Sequence, residues 1–200
     1  MASNPPESGS SSRQEQTPSR WQMLMRRLDP QVVGTRREDG AGGFRGGTKV
    51  AQLALAELIG DQAWREAVRD YIAGDDAAEM ICSVLRLVRP LAAAQECLRL
   101  WREGTGSERG CAIELLRVTA YPQALALVPE FLADPDEAVQ GWGASVVDQL
   151  VWDEVAEPEQ AEHCLQLMES HPAQHIRELA ADVRHYVAER ERSKGTPQQP

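Results

Sequence analysis

One pattern of residues in this sequence recurs after 37 positions. The phrase DPDEAVQGWGASVV begins at Asp134, and the phrase HPAQHIRELAADV begins at His171. Pro135 and Pro172 coincide, and apolar residues follow each proline at helical spacing. A helical unit of this length that recurs is typical of stacked repeats, because one amphipathic unit alone leaves an apolar side uncovered. The repetition therefore predicts an α-solenoid.

The rest of the chain from Val50 onward also has a helical pattern. Ala and Leu are common, runs of Val, Ile and Thr are scarce, and only 5% of residues are aromatic. Four helix starts are predicted from residue pairs with capping-box spacing: Asp76 and Glu79, Thr105 and Glu108, Asp134 and Glu137, and His171 and Gln174. The predicted fold is all-α, an α-solenoid of about four to five helix pairs over residues 46–192.

The two ends of the chain have a different composition. Residues 1–20 are rich in Ser, Pro and Gln, and six glycines stand between Gly34 and Gly47. Such segments bury too little apolar surface to offset the entropy of ordering. We therefore expect a flexible N-terminal arm over residues 1–45 and a disordered tail over residues 193–200.

Cysteine spacing and hydropathy indicate a cytoplasmic location. The four cysteines form no CxxC pair, which suits free thiols in a reducing compartment. No stretch approaches ~18 consecutive apolar residues, and the N-terminus lacks the apolar segment of a secretory signal. We therefore expect a cytoplasmic protein with no membrane partner.

Charge is distributed unevenly along the chain, whose net charge is −10. Residues 1–49 carry eight Lys and Arg against five Asp and Glu, whereas residues 119–176 carry no Lys or Arg and eleven acids. An acidic surface repels phosphate backbones, so a nucleic-acid partner is not expected. The acidic segment is either a solvated face that aids solubility or a docking face for a basic protein.

The repeated phrase resembles a known family. DPDEAVQGWGASVVDQL is similar to the first helix of a HEAT repeat, in which Asp-Pro is followed by polar residues, Val-Arg, small residues and Leu. HPAQHIRELAADV resembles the same helix and keeps the arginine as Arg177, whereas Gln140 replaces it in the first phrase. The resemblance covers residues 134–183 and is weaker over residues 76–133. It implies an α-solenoid that binds proteins, and the motif carries no catalytic residues.

The sequence gives little indication of catalysis. No Ser–His–Asp or Cys–His set can be assembled, and the histidines at 171 and 175 lack the neighbours of a zinc motif. We predict no enzyme activity, no metal and no cofactor. Trp152 closes a helix beside two acids, as an aromatic residue at an interface would. The predicted contact residues are Glu130, Asp148, Trp152, Asp153 and Glu154.

The predicted function is a protein-binding scaffold or adaptor that presents its acidic face to a basic partner. Three alternatives remain open from the sequence. The protein could be an immunity or inhibitor protein that neutralises a basic toxin. It could be a subunit like the bacterial HEAT proteins related to chromophore lyases. The arginine-containing N-terminal arm also leaves room for a nucleic-acid-binding repeat protein.

Overall fold

The computed structural model describes residues 47–74 and 78–195. Within these ranges the chain is helical and contains no strand, which confirms the all-α prediction. The predicted arm over residues 1–45 lies outside the described residues, as do residues 196–200 of the predicted tail. The helices are α1 (Gly47–Ile59), α2 (Asp61–Ala73), α3 (Ala78–Val88), α4 (Leu91–Glu103), α5 (Ser107–Thr119), a 3-10 helix (Pro122–Leu127), α6 (Val128–Leu132), α7 (Glu137–Trp152), α8 (Pro158–Glu169) and α9 (Gln174–Gly195).

Helices that are two apart in the chain lie side by side. The odd-numbered helices contact one another in succession from α1 to α9, while α2 contacts α4 and α6 contacts α8. Neighbours in the chain also pack together, most extensively α4 against α5. The apolar core lies between these helices and includes Leu85, Ile113, Leu116, Phe131, Leu150, Leu165 and Ile176.

Two predicted helix starts are wrong by two residues. Helix α7 is capped by Asp136, whose carboxylate accepts a hydrogen bond from the Ala138 amide, and not by Asp134. Asp134 is instead buried, where Trp101 and Arg109 donate hydrogen bonds to its carboxylate. Likewise, α9 begins at Gln174, whereas a cap at His171 would have placed its first residue at position 172. In both cases the side chain at the predicted cap serves a tertiary contact, which draws it away from the first helical turn.

The third predicted start, at Thr105, is wrong by one residue. Helix α5 has Gly106 at its cap with a φ of 52°, although Glu108 accepts a hydrogen bond from the Thr105 amide as a capping box would. The first predicted start, at Asp76, lies outside the described residues. A capping box that sequence reasoning missed opens α8, where Glu157 and Gln160 each bond to the other's backbone amide.

Two residues of α5, Gly110 and Arg117, interrupt its apolar pattern, and each has a role in packing. A Cβ atom on Gly110 would lie 2.9 Å from the Cβ of Ala138, so the missing side chain allows α5 and α7 to approach closely. The guanidinium of Arg117 lies 5.2 Å from the ring centroid of Trp142, which is half-buried beneath it. Proline disfavours the interior of a helix, and near Pro129 the helical segment divides into the 3-10 helix and α6.

Candidate functional site

Trp152, the predicted contact aromatic, is exposed at the end of α7. Its side chain is 60% accessible, although most large apolar side chains nearby are buried. Its indole stacks on the Tyr186 ring of α9, with centroids 4.6 Å apart and planes tilted by 31°. Aromatic pairs of this geometry stabilise beyond the area they bury, so the Tyr186 ring supports one side of the indole. The exposed indole and the partly buried Tyr186 ring together present an apolar surface to solvent.

Acidic side chains flank this aromatic pair on one side. Glu154 and Glu157 both lie in the loop that links α7 to α8, and both are well exposed. Arg190 of α9 reaches toward them, with Nη1 3.7 Å from Glu154 and Nη2 3.4 Å from Glu157. These distances are long for charge-assisted hydrogen bonds, so the single arginine holds two carboxylates loosely. We call Trp152, Glu154, Glu157, Tyr186 and Arg190 the acidic edge.

Asp153, although adjacent to Trp152 in sequence, belongs to the interior of the fold. It caps the end of α7, and its Oδ2 lies 2.5 Å from Nη2 of Arg89, the residue after α3. Gln149 donates a further hydrogen bond of 2.9 Å to the same oxygen. Arg89 itself has a φ of 51°, a conformation that ends α3 and directs the chain into α4. Asp153 therefore connects two distant parts of the chain and is mostly covered.

Asp148 is half-buried in α7 and is not part of the acidic edge. Burial raises the pKa of its carboxyl, the neighbouring Asp182 raises it further, and Arg117 lowers it. A carboxylate with these surroundings costs free energy to desolvate, so it contributes less to attracting a distant cation than a fully exposed acid does. Glu130 is exposed on α6, a different helix from those that form the acidic edge.

Most acids of the segment without Lys or Arg are paired by arginines from other helices. Asp134 binds Arg109, Asp153 binds Arg89, and the remaining pairs lie on the surface between α8 and α9. There Arg184 binds Glu162 and Glu169, and its hydrogen bonds lower the pKa of Glu162 to about 2. These ion pairs therefore reduce the net negative charge that the acidic segment presents to solvent. In the part of the chain that the structure describes, its exposed acids without an ion pair include Glu130, Glu137 and Glu159.

The histidines considered for a metal serve other purposes. His171 is buried, with Nδ1 accepting from the Ala173 amide and Nε2 3.2 Å from the Leu132 carbonyl oxygen. It lines an open cavity of about 740 Å³ together with Gln140 and His175. Across residues 47–74 and 78–195, no three His, Cys, Asp or Glu side chains are grouped so that they could hold a metal ion.

The buried cysteines are poorly suited to act as nucleophiles. Burial raises the pKa of Cys97 and of Cys164, which favours the neutral thiol over the reactive thiolate. Tyr71 is likewise affected: burial and the nearby Glu114 raise its pKa to about 12. These groups therefore remain protonated near neutral pH.

Comparisons with family models, curated proteins and solved structures find no match to this chain. Among the described residues, no helix is both long and apolar enough to cross a membrane. Sequence reasoning identified Trp152 and Glu154 but missed Tyr186 and Arg190, because neither shares a motif with them and only the packing of α9 on α7 brings them together.

Proposed function

We propose that residues 47–195 form a HEAT-like α-solenoid that acts as a non-enzymatic, cytoplasmic protein-binding scaffold. The successive contacts among odd-numbered helices support a solenoid, since each repeat of such a fold mainly contacts its neighbours. The matched contacts of the turns before α7 and α9 also support it. Gln140 donates to the Asp134 carbonyl oxygen, and Arg177 donates to the equivalent carbonyl oxygen of His171.

The proposed binding surface is the acidic edge, and the proposed partner is a protein with a basic surface. The observation that carries this proposal is the exposed indole of Trp152, held by Tyr186 and flanked by Glu154 and Glu157. Aromatic residues fixed in place give large contact area with little loss of conformational entropy, and surrounding charges steer the encounter. Arg190 only partly neutralises the two carboxylates, which leaves charge for a partner's lysine or arginine.

The other predicted contact residues have different roles within this proposal. Asp153 is engaged by Arg89, and Asp148 is half-buried, so neither is proposed as a direct contact. Glu130 contributes only to the general negative field of the surface. A substitution of Asp153 would lower binding only indirectly, by disturbing the end of α7. A substitution of Glu154 would instead remove a proposed contact with the partner.

The proposal is tested by charge reversal at the acidic edge, with a matched control elsewhere. The purified protein is immobilised and used to capture partners from the source cell, and the captured partner is then titrated against variants. We expect Glu154→Arg with Glu157→Arg to weaken binding at least tenfold, and Trp152→Ala to do the same. Asp70→Arg and Glu130→Arg, which reverse exposed acids on α2 and α6, should change affinity less than threefold.

Salt dependence gives a second readout of the same surface. Because exposed charges are screened by ions, binding should weaken as the ionic strength rises, and the double reversal should flatten this dependence. Equal affinity of the edge variants and the control variants would show that the acidic edge is not the binding surface.

A further inference from the structure

Arg190 of the acidic edge is covered by the fold and yet poorly paired. Its side chain is only 13% exposed, whereas those of its ion-pair partners Glu154 and Glu157 are 64% and 66% exposed. Among the residues that the structure describes, Nε and Nη1 of Arg190 are buried without a hydrogen-bond partner. Nη1 lies 3.7 Å from Glu154, and Nη2 lies 3.4 Å from Glu157. These contacts compensate only part of the hydration that the guanidinium has lost.

Arg184, six residues earlier in α9, provides a matched comparison. It also faces two glutamates, but its Nη1 lies 2.5 Å from Glu162 and its Nε lies 2.8 Å from Glu169. Distances of this kind are normal for charge-assisted hydrogen bonds. The Arg184 side chain is 39% exposed, so it is better paired than Arg190 although it is less buried. The long contacts are therefore a property of the acidic edge and not of every arginine on α9.

Glu154 is also unfavourable for the end of the helix that it follows. Its φ of 55° lies in the left-handed region that favours glycine. An acid at the C-terminal end of a helix, as here after α7, also opposes the helix dipole. The contact with Arg190 is too long to offset much of this cost. The carboxylate of Glu154 therefore contributes little to the stability of the free protein.

We infer that Arg190 is an autoinhibitory cation, which weakens the binding of a basic partner by competing for the carboxylates of Glu154 and Glu157. This inference rests on the proposed function of the acidic edge. Because most of its guanidinium is covered, Arg190 stays in place when a partner arrives, whereas the two exposed glutamates can turn away from it. A partner's lysine or arginine must draw both carboxylates from Arg190 and then lies near a fixed like charge. The affinity is therefore lower than the two carboxylates alone would give.

A purely structural role for Arg190 leads to the opposite expectation. If its guanidinium mainly held the loop between α7 and α8 in place, its removal would misplace Glu154 and Glu157 and would weaken binding. If it competes with the partner, its removal strengthens binding. The direction of the change in affinity therefore separates the two roles.

The first test titrates the full chain with a fluorescently labelled oligolysine peptide of about ten residues, followed by anisotropy at about 0.15 M salt. Arg190→Gln should strengthen binding about fivefold, since it removes a competing ion pair of the kind found at exposed sites. Arg184→Gln is the matched control, because it removes the same charge from the same helix and also releases two glutamates. It should change the affinity less than about twofold, because exposed charges beyond a Debye length are screened. Equal strengthening by both variants would assign the effect to net charge and would overturn the inference.

The second test establishes whether the effect passes through the two carboxylates. In a chain that carries Glu154→Gln and Glu157→Gln, the further change Arg190→Gln should no longer strengthen binding, because no carboxylate is left to release. Circular dichroism confirms that each variant keeps its helices. Arg190→Met keeps an unbranched side chain without the charge, so it replaces Arg190→Gln if the latter does not fold.

The outcomes distinguish this inference from the proposed function. A native chain that does not bind the peptide, or whose binding is unchanged by Glu154→Gln with Glu157→Gln, contradicts both. If these two changes weaken binding but the neutral variants of Arg190 bind no more tightly than the native chain, the proposed function stands and only the autoinhibitory role is overturned.

Discussion

Helices α7 and α9 begin with segments of similar pattern but occupy different environments. Residues 37 apart match in burial at Val139 and Ile176, at Gly143 and Ala180, and at Val146 and Val183. They differ on the other side: Ala144, Val147 and Val151 of α7 are buried, whereas their equivalents in α9, Ala181, Arg184 and Ala188, are not. Helix α7 packs between α5 and α9, whereas among the odd-numbered helices that the structure describes α9 packs chiefly against α7.

The comparison shows how the neighbouring helices determine which residues of a recurring pattern are buried. The side that faces the preceding helix keeps its apolar residues in both copies. The opposite side is apolar and buried in α7, whereas in α9 it carries polar and small residues that are not buried. The two turns differ as well: a buried carboxylate at Asp134 binds Arg109, whereas Nε2 of His171 lies 3.2 Å from the Leu132 carbonyl oxygen.

The largest expected effect tests burial at one matched position. Val147→Arg gives α7 the residue that α9 has, and it should destabilise the fold by about 4 kcal/mol because it buries a charge without a partner. The reverse change in α9, Arg184→Val, should cost less than about 1 kcal/mol, since the ion pairs that it removes are exposed. Urea unfolding followed by circular dichroism measures both. Similar losses would contradict the difference in environment.

The second effect concerns the turn before α7. Asp134→Ala removes the acceptor of Arg109 and Trp101 from a buried position, and we expect a loss of about 3 kcal/mol in unfolding free energy. Asp136→Ala removes only the helix cap and should cost about 1 kcal/mol. Thermal and urea unfolding of both variants provide the measurement. An equal loss for the two would mean that Asp134 acts only locally.

The third effect concerns close packing at another matched position. A Cβ on Gly143 would lie 2.3 Å from the Cβ of Phe131, so Gly143→Ala should destabilise the protein by about 2 kcal/mol despite the better helix propensity of Ala. At the equivalent position of α9, Ala180→Gly should cost about 1 kcal/mol through propensity and lost contacts. If Gly143→Ala stabilised the protein, the close approach of α6 and α7 would be disproved.

The smallest expected effect is a pH dependence of stability that comes from the ion pair between Arg184 of α9 and Glu162 of α8. Arg184 and Gln166 lower the pKa of Glu162 from 4.5 to about 2 in the folded protein. A lowered pKa means that this contribution to stability is complete above pH 4.5 and is lost as the pH falls toward 2. The stability difference between the native chain and Arg184→Gln should therefore shrink over this range. In a Glu162→Gln background the difference should no longer change over this range, and a persistent change would assign it to other groups.

The sequence predicted several elements because their causes are local. Gly60 and Gly74 follow apolar helical runs in the sequence, and they end α1 and α2 with positive φ angles. Trp64 and Trp101 lie on apolar helix faces, and both are buried. The caps at 134 and 171 were wrong because distant residues, Arg109 and Leu132, compete for the side chains.

The candidate site was only partly predictable for the same reason. Trp152 and Glu154 are two positions apart in the sequence and could be selected as an aromatic residue near an acid. Asp153, which lies between them, forms an ion pair with Arg89, 64 positions earlier in the chain. No local sequence pattern predicts that pair. Tyr186 and Arg190 join the site through the packing of α9 against α7.

Helical periodicity, glycine punctuation and a phrase repeated after 37 positions determined by themselves that this chain is helical and where most helices lie. Those features depend on backbone geometry within a few residues of each position. Only the tertiary structure decided which acids are neutralised, which side of each helix is covered and which apolar stripe stays exposed. Ion pairing and burial join residues far apart in the chain, so they exist only once the helices have packed.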